Sequence, residues 1–288
     1  MLTYTFWEQK YYKDDPETLN YYKNIYKGSA LTINLNFAEN NNHGCNFHCN
    51  FCIWEAINYG IYIYPKDEDI LEFINKYAFD MSPVRLCGGG DPLYNFEKNK
   101  EKIKHLTKVI KSTGRATQMT TKDVKVLNKY YNSSYLEDII DYTISTESCN
   151  NLTKETIMKL LAAGKKVRLS KILNFDCNLE NINLEEIKNY LTYYNFSNFK
   201  NFYIVLRTNY VHDLSDKEVD NLQKYFNEYL KVNNINTKFS INKAGKHFKM
   251  LQLTNSEVTH CSNTVEQLFF ELNVKKEDFG KFFSDWSN

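Results

Sequence analysis

The chain has 288 residues, of which 42% are apolar, and its 36 basic and 35 acidic residues give a net charge of +1. A chain of this length and composition can bury a large core, which excludes global disorder. The balanced charge provides no general attraction to nucleic acid or to an anionic membrane. Nucleic acid is therefore neither supported nor excluded as a partner.

The amino-terminal residues Met1–Trp7 lack the charged start and apolar run of a secretory signal, and no stretch approaches the ~20 apolar residues of a membrane span. We therefore expect a soluble, cytoplasmic protein with no membrane partner.

Seven cysteines is an odd number, and three of them fall within eight positions. In a reducing cytosol this pattern indicates metal or redox chemistry and not disulfide bonds.

Strand and helix patterns alternate after residues 1–28, which show no clear period. Short apolar runs and period-two alternation predict strands at Leu31–Phe37, Pro83–Cys87, Ala116–Thr121, Ile139–Ile144, Val167–Leu173 and Phe202–Leu206. Apolar residues at helical spacing predict helices at Ile53–Tyr59, Glu68–Tyr77, Glu97–Ser112, Val124–Tyr131, Lys154–Ala163, Leu184–Tyr194 and Ser215–Leu230. Glu218, three residues after Ser215, predicts a capping box at the last of these helices.

The segment after the last of these helices follows a different pattern. Thr237–Ile241 and Phe248–Leu253 are predicted to form a hairpin around Lys243–Gly245, and a final helix is expected near Val265–Leu272.

About six βα units lie between Leu31 and Leu230. Strands that alternate with helices pair in parallel, and six units are fewer than the eight of a full barrel. We therefore expect an α/β fold, a partial (β/α)6 barrel over residues 29–232. Residues 1–28 are expected to form a cap, and residues 233–288 a carboxy-terminal extension packed on the barrel.

Three cysteines with C-x3-C-x2-C spacing, Cys45, Cys49 and Cys52, follow the first predicted strand. Thiolates at this spacing can converge on one centre, and three of them leave one iron of a 4Fe–4S cluster without a protein ligand. An open position is what a metal site needs if it binds a substrate directly. The alternative is a zinc-stabilised binding module without catalysis, with His43 or His48 as the fourth ligand.

This loop resembles the signature of the radical S-adenosylmethionine (radical SAM) superfamily, C-x3-C-x-aromatic-C, with Phe51 in the aromatic position. Further resemblances follow in the family's order at the next four strand ends. These stretches are Cys87-Gly88-Gly89-Gly90-Asp91-Pro92, with Asp in place of the usual Glu, then Met119–Lys122, Ile144–Ser148 and Val167–Ser170. The last stretch is similar to the molybdopterin-synthesis and viperin-like branches of the family.

The resemblance implies that Cys45, Cys49 and Cys52 hold a 4Fe–4S cluster whose open iron binds the methionine end of S-adenosylmethionine. It implies reductive cleavage to a 5′-deoxyadenosyl radical, which abstracts hydrogen from a substrate that the sequence does not identify. It also implies anaerobic conditions and a one-electron donor of the flavodoxin or ferredoxin type. An enzyme that keeps the fold but has lost cleavage is a further alternative, because Asp91 replaces the usual Glu.

Residues after the second and fourth strands are candidates for binding S-adenosylmethionine. The backbone of Gly88–Gly90 can approach a ligand closely, and Asp91 can accept a bond from the methionine ammonium group. A tight turn would also explain the glycines. Ser145 and Glu147 are placed to bind the ribose hydroxyls, as carboxylates do in dinucleotide sites. Glu147 as a cap of the following helix is the alternative.

Three of the four arginines, Arg85, Arg168 and Arg207, fall in or at the end of predicted strands. A buried arginine needs an anionic partner. Arg168, with Ser170 on the same face of its strand, is predicted to bind the methionine carboxylate, the alternative being an internal salt bridge. Arg207 is predicted to face the substrate.

The remaining cysteines are scattered and do not predict a second cluster. They are Cys87, Cys149, Cys177 and Cys261.

Overall fold

The computed structural model describes most of the chain between residues 31 and 243 and the backbone of two later strands. The described ranges are 31–33, 35, 37, 44–47, 49, 64–77, 83–87, 90–173, 182–208, 214–243, 250–254 and 257–261. The predicted cap over residues 1–28 and the predicted helices at Ile53–Tyr59 and Val265–Leu272 lie outside these ranges.

The described residues contain nine strands that form one sheet. The strands are β1 (Leu31–Ile33), β2 (Val84–Leu86), β3 (Thr117–Thr121), β4 (Ile139–Ser145), β5 (Lys166–Ile172), β6 (Phe202–Arg207), β7 (Phe239–Asn242), β8 (Met250–Thr254) and β9 (Glu257–Cys261). Their order is β7-β6-β5-β4-β3-β2-β1-β8-β9, and all neighbours are parallel except the pair β8–β9. The sheet is open, since β7 and β9 lie at its edges.

One helix of the described ranges follows each of the strands β1 to β6. The helices are α1 (Asp67–Tyr77), α2 (Phe96–Ser112), α3 (Val124–Tyr130), α4 (Asn151–Ala162), α5 (Leu184–Tyr193) and α6 (Asp216–Val232). These six units confirm the predicted α/β fold with an open, partial (β/α)6 barrel. No helix within the described ranges has the length and apolar character needed to cross a bilayer.

Side-chain caps mark where four of these helices begin. At the amino termini of α3, α4, α5 and α6, a side-chain oxygen accepts a hydrogen bond from the backbone N–H three residues on. The capping residues are Asp123, Asn150, Asn183 and Ser215. Each cap satisfies a backbone donor that would otherwise lack a partner in the first turn.

The two faces of the sheet differ in chemistry, because strand residues alternate between faces. On one face, residues such as Val84, Leu86, Val167 and Leu169 are fully buried and pack in one core with apolar residues of the helices. Burying a side chain of this size stabilises the fold by ~1.5–3 kcal/mol. The other face, called the inner face below, is mostly polar. Its residues include Thr32, Arg85, Gln118, Thr120, Asp141, Thr143, Ser145, Arg168, Ser170, Tyr203 and Arg207.

The predicted hairpin between Thr237–Ile241 and Phe248–Leu253 is wrong. Strand β7 pairs in parallel with β6 at one edge, whereas β8 pairs in parallel with β1, so β1 to β6 lie between them. Strand β8 forms its antiparallel pair with β9 instead. A turn-like sequence between two strands is a local signal, whereas the choice of pairing partner depends on contacts distant in sequence.

Candidate functional site

The candidate site lies where the carboxyl ends of β1 to β5 meet at one edge of the sheet. In parallel α/β folds the loops at this edge carry the binding and catalytic groups. Four of the predicted motifs continue past the ends of β1, β2, β3 and β4, and described residues of each lie at this edge. The fifth, Val167–Ser170, lies within β5.

Two of the three motif cysteines lie on the loop after β1. The Cys45 Sγ accepts a hydrogen bond from the Phe47 N–H at 3.3 Å, and the Cys49 N–H donates to the Phe47 carbonyl at 3.0 Å. Both cysteines are partly exposed and neither forms a disulfide. The loop therefore carries both cysteines, with a backbone donor directed at the Cys45 sulfur.

The cysteine loop is anchored to the end of β2 through two glycines. Gly44 and Gly90 form an isolated parallel bridge, and the Asp91 N–H donates to the Gly44 carbonyl at 2.8 Å. A Cβ added to Gly90 would lie 2.4 Å from the Gly44 carbonyl oxygen, closer than packing allows. Gly90 therefore lets the cysteine loop approach the sheet. This reason for a glycine differs from the two that the sequence offered, which were close approach of a ligand and a tight turn.

Asp91 is buried and joins the end of β2 to the end of β3. Its carboxylate accepts bonds from the Leu93 N–H at 2.9 Å, the Thr121 hydroxyl at 2.8 Å and the Lys122 N–H at 2.7 Å. Burial raises the pKa of the Asp91 carboxyl group, and these hydrogen bonds oppose the rise. Asp91 thus fixes the two loops relative to each other, and its predicted bond to the methionine ammonium stays a prediction.

Lys122 is a site residue that the sequence reasoning did not single out. Its Nζ donates to the Cys49 Sγ at 3.2 Å and lies 3.8 Å from the Glu147 Oε1. The same group lies 6.0 Å from the centre of the Phe47 ring. The sequence signal that could have identified Lys122 was its position directly after β3, in a stretch that resembles a strand-end motif. The ammonium group brings a positive charge to a cysteine sulfur, which favours the thiolate form.

Glu147 lies after β4 and contacts the ends of two neighbouring strands. Its Oε2 accepts from the Ile172 N–H of β5 at 3.3 Å, and its side chain is 15% exposed. Burial raises the pKa of the Glu147 carboxyl group, and the ammonium groups of Lys122 and Lys171 oppose the rise. Asn150 caps the following helix, so the alternative of Glu147 as its cap is wrong.

Arg168 lies on the inner face, in the middle of β5, with Ser170 two residues closer to the carboxyl edge. The Arg168 Nε donates to the Tyr203 hydroxyl, and the guanidinium group lies 5.0 Å from the centre of the Tyr203 ring. Ser170 is the register partner of Ser145 on β4. Among the described residues no carboxylate forms an ion pair with Arg168, so the alternative of an internal salt bridge finds no support there.

Arg85 and Arg207 share the inner face with Arg168. The Arg85 Nε donates to the Gln118 Oε1 at 2.7 Å. Burial lowers the pKa of Arg85, and the positive charges of Arg168 and Arg207 lower it further. Burial also raises the pKa of the Cys87 thiol, against the opposing effect of Arg85 and Arg207. The strand registers place the three arginines on the same face of the sheet.

Several predicted site residues lie outside the described residues. They are Phe51, Cys52, Gly88 and Gly89, together with the alternative zinc ligands His43 and His48. Within the described ranges, no three His, Cys, Asp or Glu side chains are grouped closely enough to hold a metal ion. Ligation of a cluster by Cys45, Cys49 and Cys52 therefore stays a prediction.

Comparison with models of known families and with curated proteins finds no match for this chain. Among solved structures, the chain is similar to SuiB of Streptococcus suis bound to S-adenosylmethionine, with 16% identity and a TM-score of 0.47 over 81% of this chain and 55% of that one. It is also similar to a tyrosine-to-phenylalanine variant of spore photoproduct lyase, with 14% identity and a TM-score of 0.39 over 92% of this chain and 81% of that one. The chain spans about half the length of SuiB.

Proposed function

We propose that this chain is a radical SAM enzyme, in which Cys45, Cys49 and Cys52 hold one 4Fe–4S cluster and S-adenosylmethionine binds beside it. The observation that carries the proposal is that motif residues after four successive strands, β1 to β4, lie at one edge of a parallel sheet, with the fifth motif next to them in β5. The cysteine loop is bridged to Gly90, and the Lys122 Nζ donates to the Cys49 sulfur and lies 3.8 Å from the Glu147 Oε1.

The cysteine loop fits an iron–sulfur cluster in the chemistry of its donors. Thiolates are the usual protein ligands of such clusters, and hydrogen bonds to the sulfurs adjust their reduction potentials. The Phe47 N–H and the Lys122 ammonium group supply such bonds to Cys45 and Cys49. When bound, the cluster supplies the electron that cleaves S-adenosylmethionine to a 5′-deoxyadenosyl radical, which abstracts hydrogen from the substrate.

The residues around the loop provide groups suited to S-adenosylmethionine. The carbonyls of Gly88–Gly90 and the Asp91 carboxylate are proposed to accept from its ammonium group. Arg168 is proposed to bind its carboxylate, since a guanidinium group pairs well with a planar carboxylate. Ser145 and Glu147 are proposed to bind the ribose hydroxyls, with Ser170 beside them.

The open partial barrel gives the substrate a route to the inner face, where Arg207 lies at the carboxyl end of β6. Shielding a carbon radical from water is a task for the protein, since the cofactor carries the difficult chemical step. We propose that Arg207 contacts the substrate, and that a flavodoxin- or ferredoxin-type protein supplies the electron. Similarity to the molybdopterin-synthesis and viperin-like branches stays a prediction.

The proposal is tested by metal analysis and by cleavage of S-adenosylmethionine. Protein purified without oxygen should contain about four irons per chain, with matching sulfide. With dithionite it should form 5′-deoxyadenosine. Each of Cys45→Ala, Cys49→Ala and Cys52→Ala should lose the iron and the cleavage, whereas Cys149→Ala, at an exposed position outside the motif, should keep both.

Two other results would reject the proposal in different ways. Stoichiometric zinc without iron after anaerobic reconstitution would support a zinc-stabilised binding module. An intact cluster that forms no 5′-deoxyadenosine would indicate a chain that has kept the fold and lost cleavage.

A further inference from the structure

The loop after β4, residues 146–148, is held by side chains of the next strand and helix. Each of its three successive carbonyl oxygens accepts a hydrogen bond from a different side chain. The donors, in the order of the loop, are the Tyr190 hydroxyl at 3.2 Å, the Lys171 Nζ, and the Tyr194 hydroxyl at 3.0 Å. The Tyr194 hydroxyl also accepts from the Asn150 N–H at 3.0 Å. These three donors are called the loop clamp below.

Lys171 is an unusual residue for its position in β5. It alternates with Val167 and Leu169, on the face of the strand that packs against the helices, and its side chain is 3% exposed. A buried ammonium group is costly unless it is bonded, and this one bonds to the Glu186 Oε1 at 2.8 Å and to the Glu147 carbonyl. An apolar side chain of similar length would fill the space without that cost. Stability alone therefore does not account for the lysine.

The two tyrosine hydroxyls of the loop clamp follow the same pattern. Tyr190 lies in α5 and Tyr194 directly after it, and both side chains are buried in the core. Phenylalanine rings would supply the same apolar burial without a hydroxyl that needs a partner. What the hydroxyls add is a directed bond to the backbone of the loop. All three donors of the loop clamp thus fix where that backbone lies.

The Glu147 carboxylate has partners different from those of its backbone. Its Oε2 accepts from the Ile172 N–H at 3.3 Å, and its Oε1 lies 3.8 Å from the Lys122 Nζ. Lys122 in turn donates to the Cys49 sulfur, so a single side chain links the carboxylate to the cysteine loop. Glu147 is therefore fixed both at its carbonyl, by the loop clamp, and at its carboxylate, at the carboxyl edge of the sheet.

We infer that Lys171, Tyr190 and Tyr194 are positioning residues of the cofactor site, which hold the Glu147 carboxylate where it binds the ribose hydroxyls of S-adenosylmethionine. This inference rests on the proposed function, because it explains how a residue of that same site is placed. A binding group contributes fully only when its neighbours hold it within ~0.5 Å of the productive geometry. The three donors act through Glu147 and not by contact with the cofactor.

The test is a double-mutant cycle on the affinity for S-adenosylmethionine, measured by equilibrium dialysis without a reductant on the full-length protein purified without oxygen. Lys171→Met should weaken binding about tenfold and Tyr194→Phe about threefold, because a displaced Glu147 carboxylate loses charge-assisted hydrogen bonds. In a Glu147→Ala background the same two changes should weaken binding no further, since the carboxylate that they position is gone. A purely structural contribution would lower the affinity equally in both backgrounds.

Tyr193→Phe is the matched control. Tyr193 is the neighbour of Tyr194 at the end of α5, but its hydroxyl donates to the Asn151 Oδ1 of α4 and not to the loop. The variant removes the same group from the same turn, so its affinity for S-adenosylmethionine should equal that of the unaltered protein. Urea titration shows which variants are folded. If Lys171→Met does not fold, the cycle with Tyr194→Phe decides alone.

The outcomes separate this inference from the proposed function. An unaltered protein without iron that binds no S-adenosylmethionine would reject both. In an unaltered protein that contains iron and binds S-adenosylmethionine, equal losses in the two backgrounds would overturn the inference alone. Full affinity in Tyr194→Phe or in Glu147→Ala would do the same, as would a loss in Tyr193→Phe as large as that in Tyr194→Phe.

Discussion

Gly90 shows how one missing methyl group places the cysteine loop. An alanine Cβ at this position would lie 2.4 Å from the Gly44 carbonyl oxygen and 2.9 Å from its carbon. Both are backbone atoms, so the loop must move as a whole. We expect Gly90→Ala to lower the free energy of unfolding by ~1–3 kcal/mol, the usual cost of overpacking. We also expect it to lower the iron content per folded chain, measured after anaerobic reconstitution.

Gly114→Ala is the control for this prediction. Gly114 has a positive φ of 75°, so alanine is strained there, but an added Cβ meets nothing within 4 Å. This variant should lose stability in denaturant titrations and keep its iron, because the strain lies at the end of α2. If Gly90→Ala also keeps its full iron content, the close approach of Gly44 and Gly90 does not position the cysteines.

Asp91 is predicted to act mainly by holding two loops together. The Leu93 N–H bonds to one carboxylate oxygen and the Lys122 N–H to the other. In Asp91→Asn an amide NH2 replaces one of these oxygens, so a buried backbone donor loses its acceptor. We expect the free energy of unfolding to fall by ~1–3 kcal/mol, as measured by urea titration.

Asp123→Asn is the matched control for Asp91→Asn. Asp123 caps α3 by accepting from the Val126 N–H at 3.0 Å, and asparagine caps helices as well as aspartate does. Its stability should therefore change little. Equal stability of both variants would show that Asp91 contributes no more to the free energy of unfolding than an ordinary loop carboxylate. The predicted contact with the cofactor would then be the better explanation for an aspartate at this position.

At the scale of elements, α6 begins with the capping box that the sequence predicted. The Ser215 hydroxyl accepts from the Glu218 N–H at 3.3 Å, and the Glu218 carboxylate accepts from the Ser215 N–H at 2.7 Å. Replacing a serine cap by alanine typically costs ~0.5–2 kcal/mol. We therefore expect Ser215→Ala to lower the free energy of unfolding by about 1 kcal/mol.

Ser215→Asn tests whether the cap itself causes the loss. Asparagine is as good a cap as serine, so this variant should unfold at the same denaturant concentration as the unaltered chain. Both variants should leave the iron content unchanged, since α6 follows β6, which four strands separate from β1. An equal loss in both would assign the effect to another contact of Ser215.

At the scale of the whole molecule, the inner face is assembled from strands far apart in sequence. Arg168 lies on the inner face, in β5, and its predicted partner is the methionine carboxylate. Loss of a charge-assisted hydrogen bond costs ~1.5–3 kcal/mol, or roughly 10- to 150-fold in affinity. Arg168→Ala should therefore weaken binding of S-adenosylmethionine, measured by equilibrium dialysis, by about that factor while the iron content stays unchanged.

Tyr203→Phe and Arg115→Ala refine the test of Arg168. Tyr203→Phe removes the hydroxyl that accepts from the Arg168 Nε and keeps the ring beneath the guanidinium group. If that hydroxyl orients Arg168, this variant should show a smaller loss of affinity than Arg168→Ala. Arg115→Ala should show none. Unchanged affinity in Arg168→Ala would assign this arginine to the packing of the inner face instead.

Local chemistry in the sequence determined most of the elements. The alternation of Val167, Arg168, Leu169 and Ser170 is that of a strand with one apolar and one polar face, and the structure has β5 there. The Ser215 cap and the strands after α2, α3, α4 and α5 were also predicted to within a few residues. These features depend on residues close together in the chain, so periodicity and capping chemistry suffice to predict them.

Only the tertiary structure decided which distant residues meet. It placed β8 beside β1, bridged Gly44 to Gly90, bonded Asp91 to the end of β3 and brought Lys122 to the Cys49 sulfur. It also put Arg85, Arg168 and Arg207, which belong to three separate strands, on the same face of the sheet. Each of these contacts depends on the order and register of the strands. Pairing between residues far apart in the chain sets that order, and no local sequence pattern predicts it.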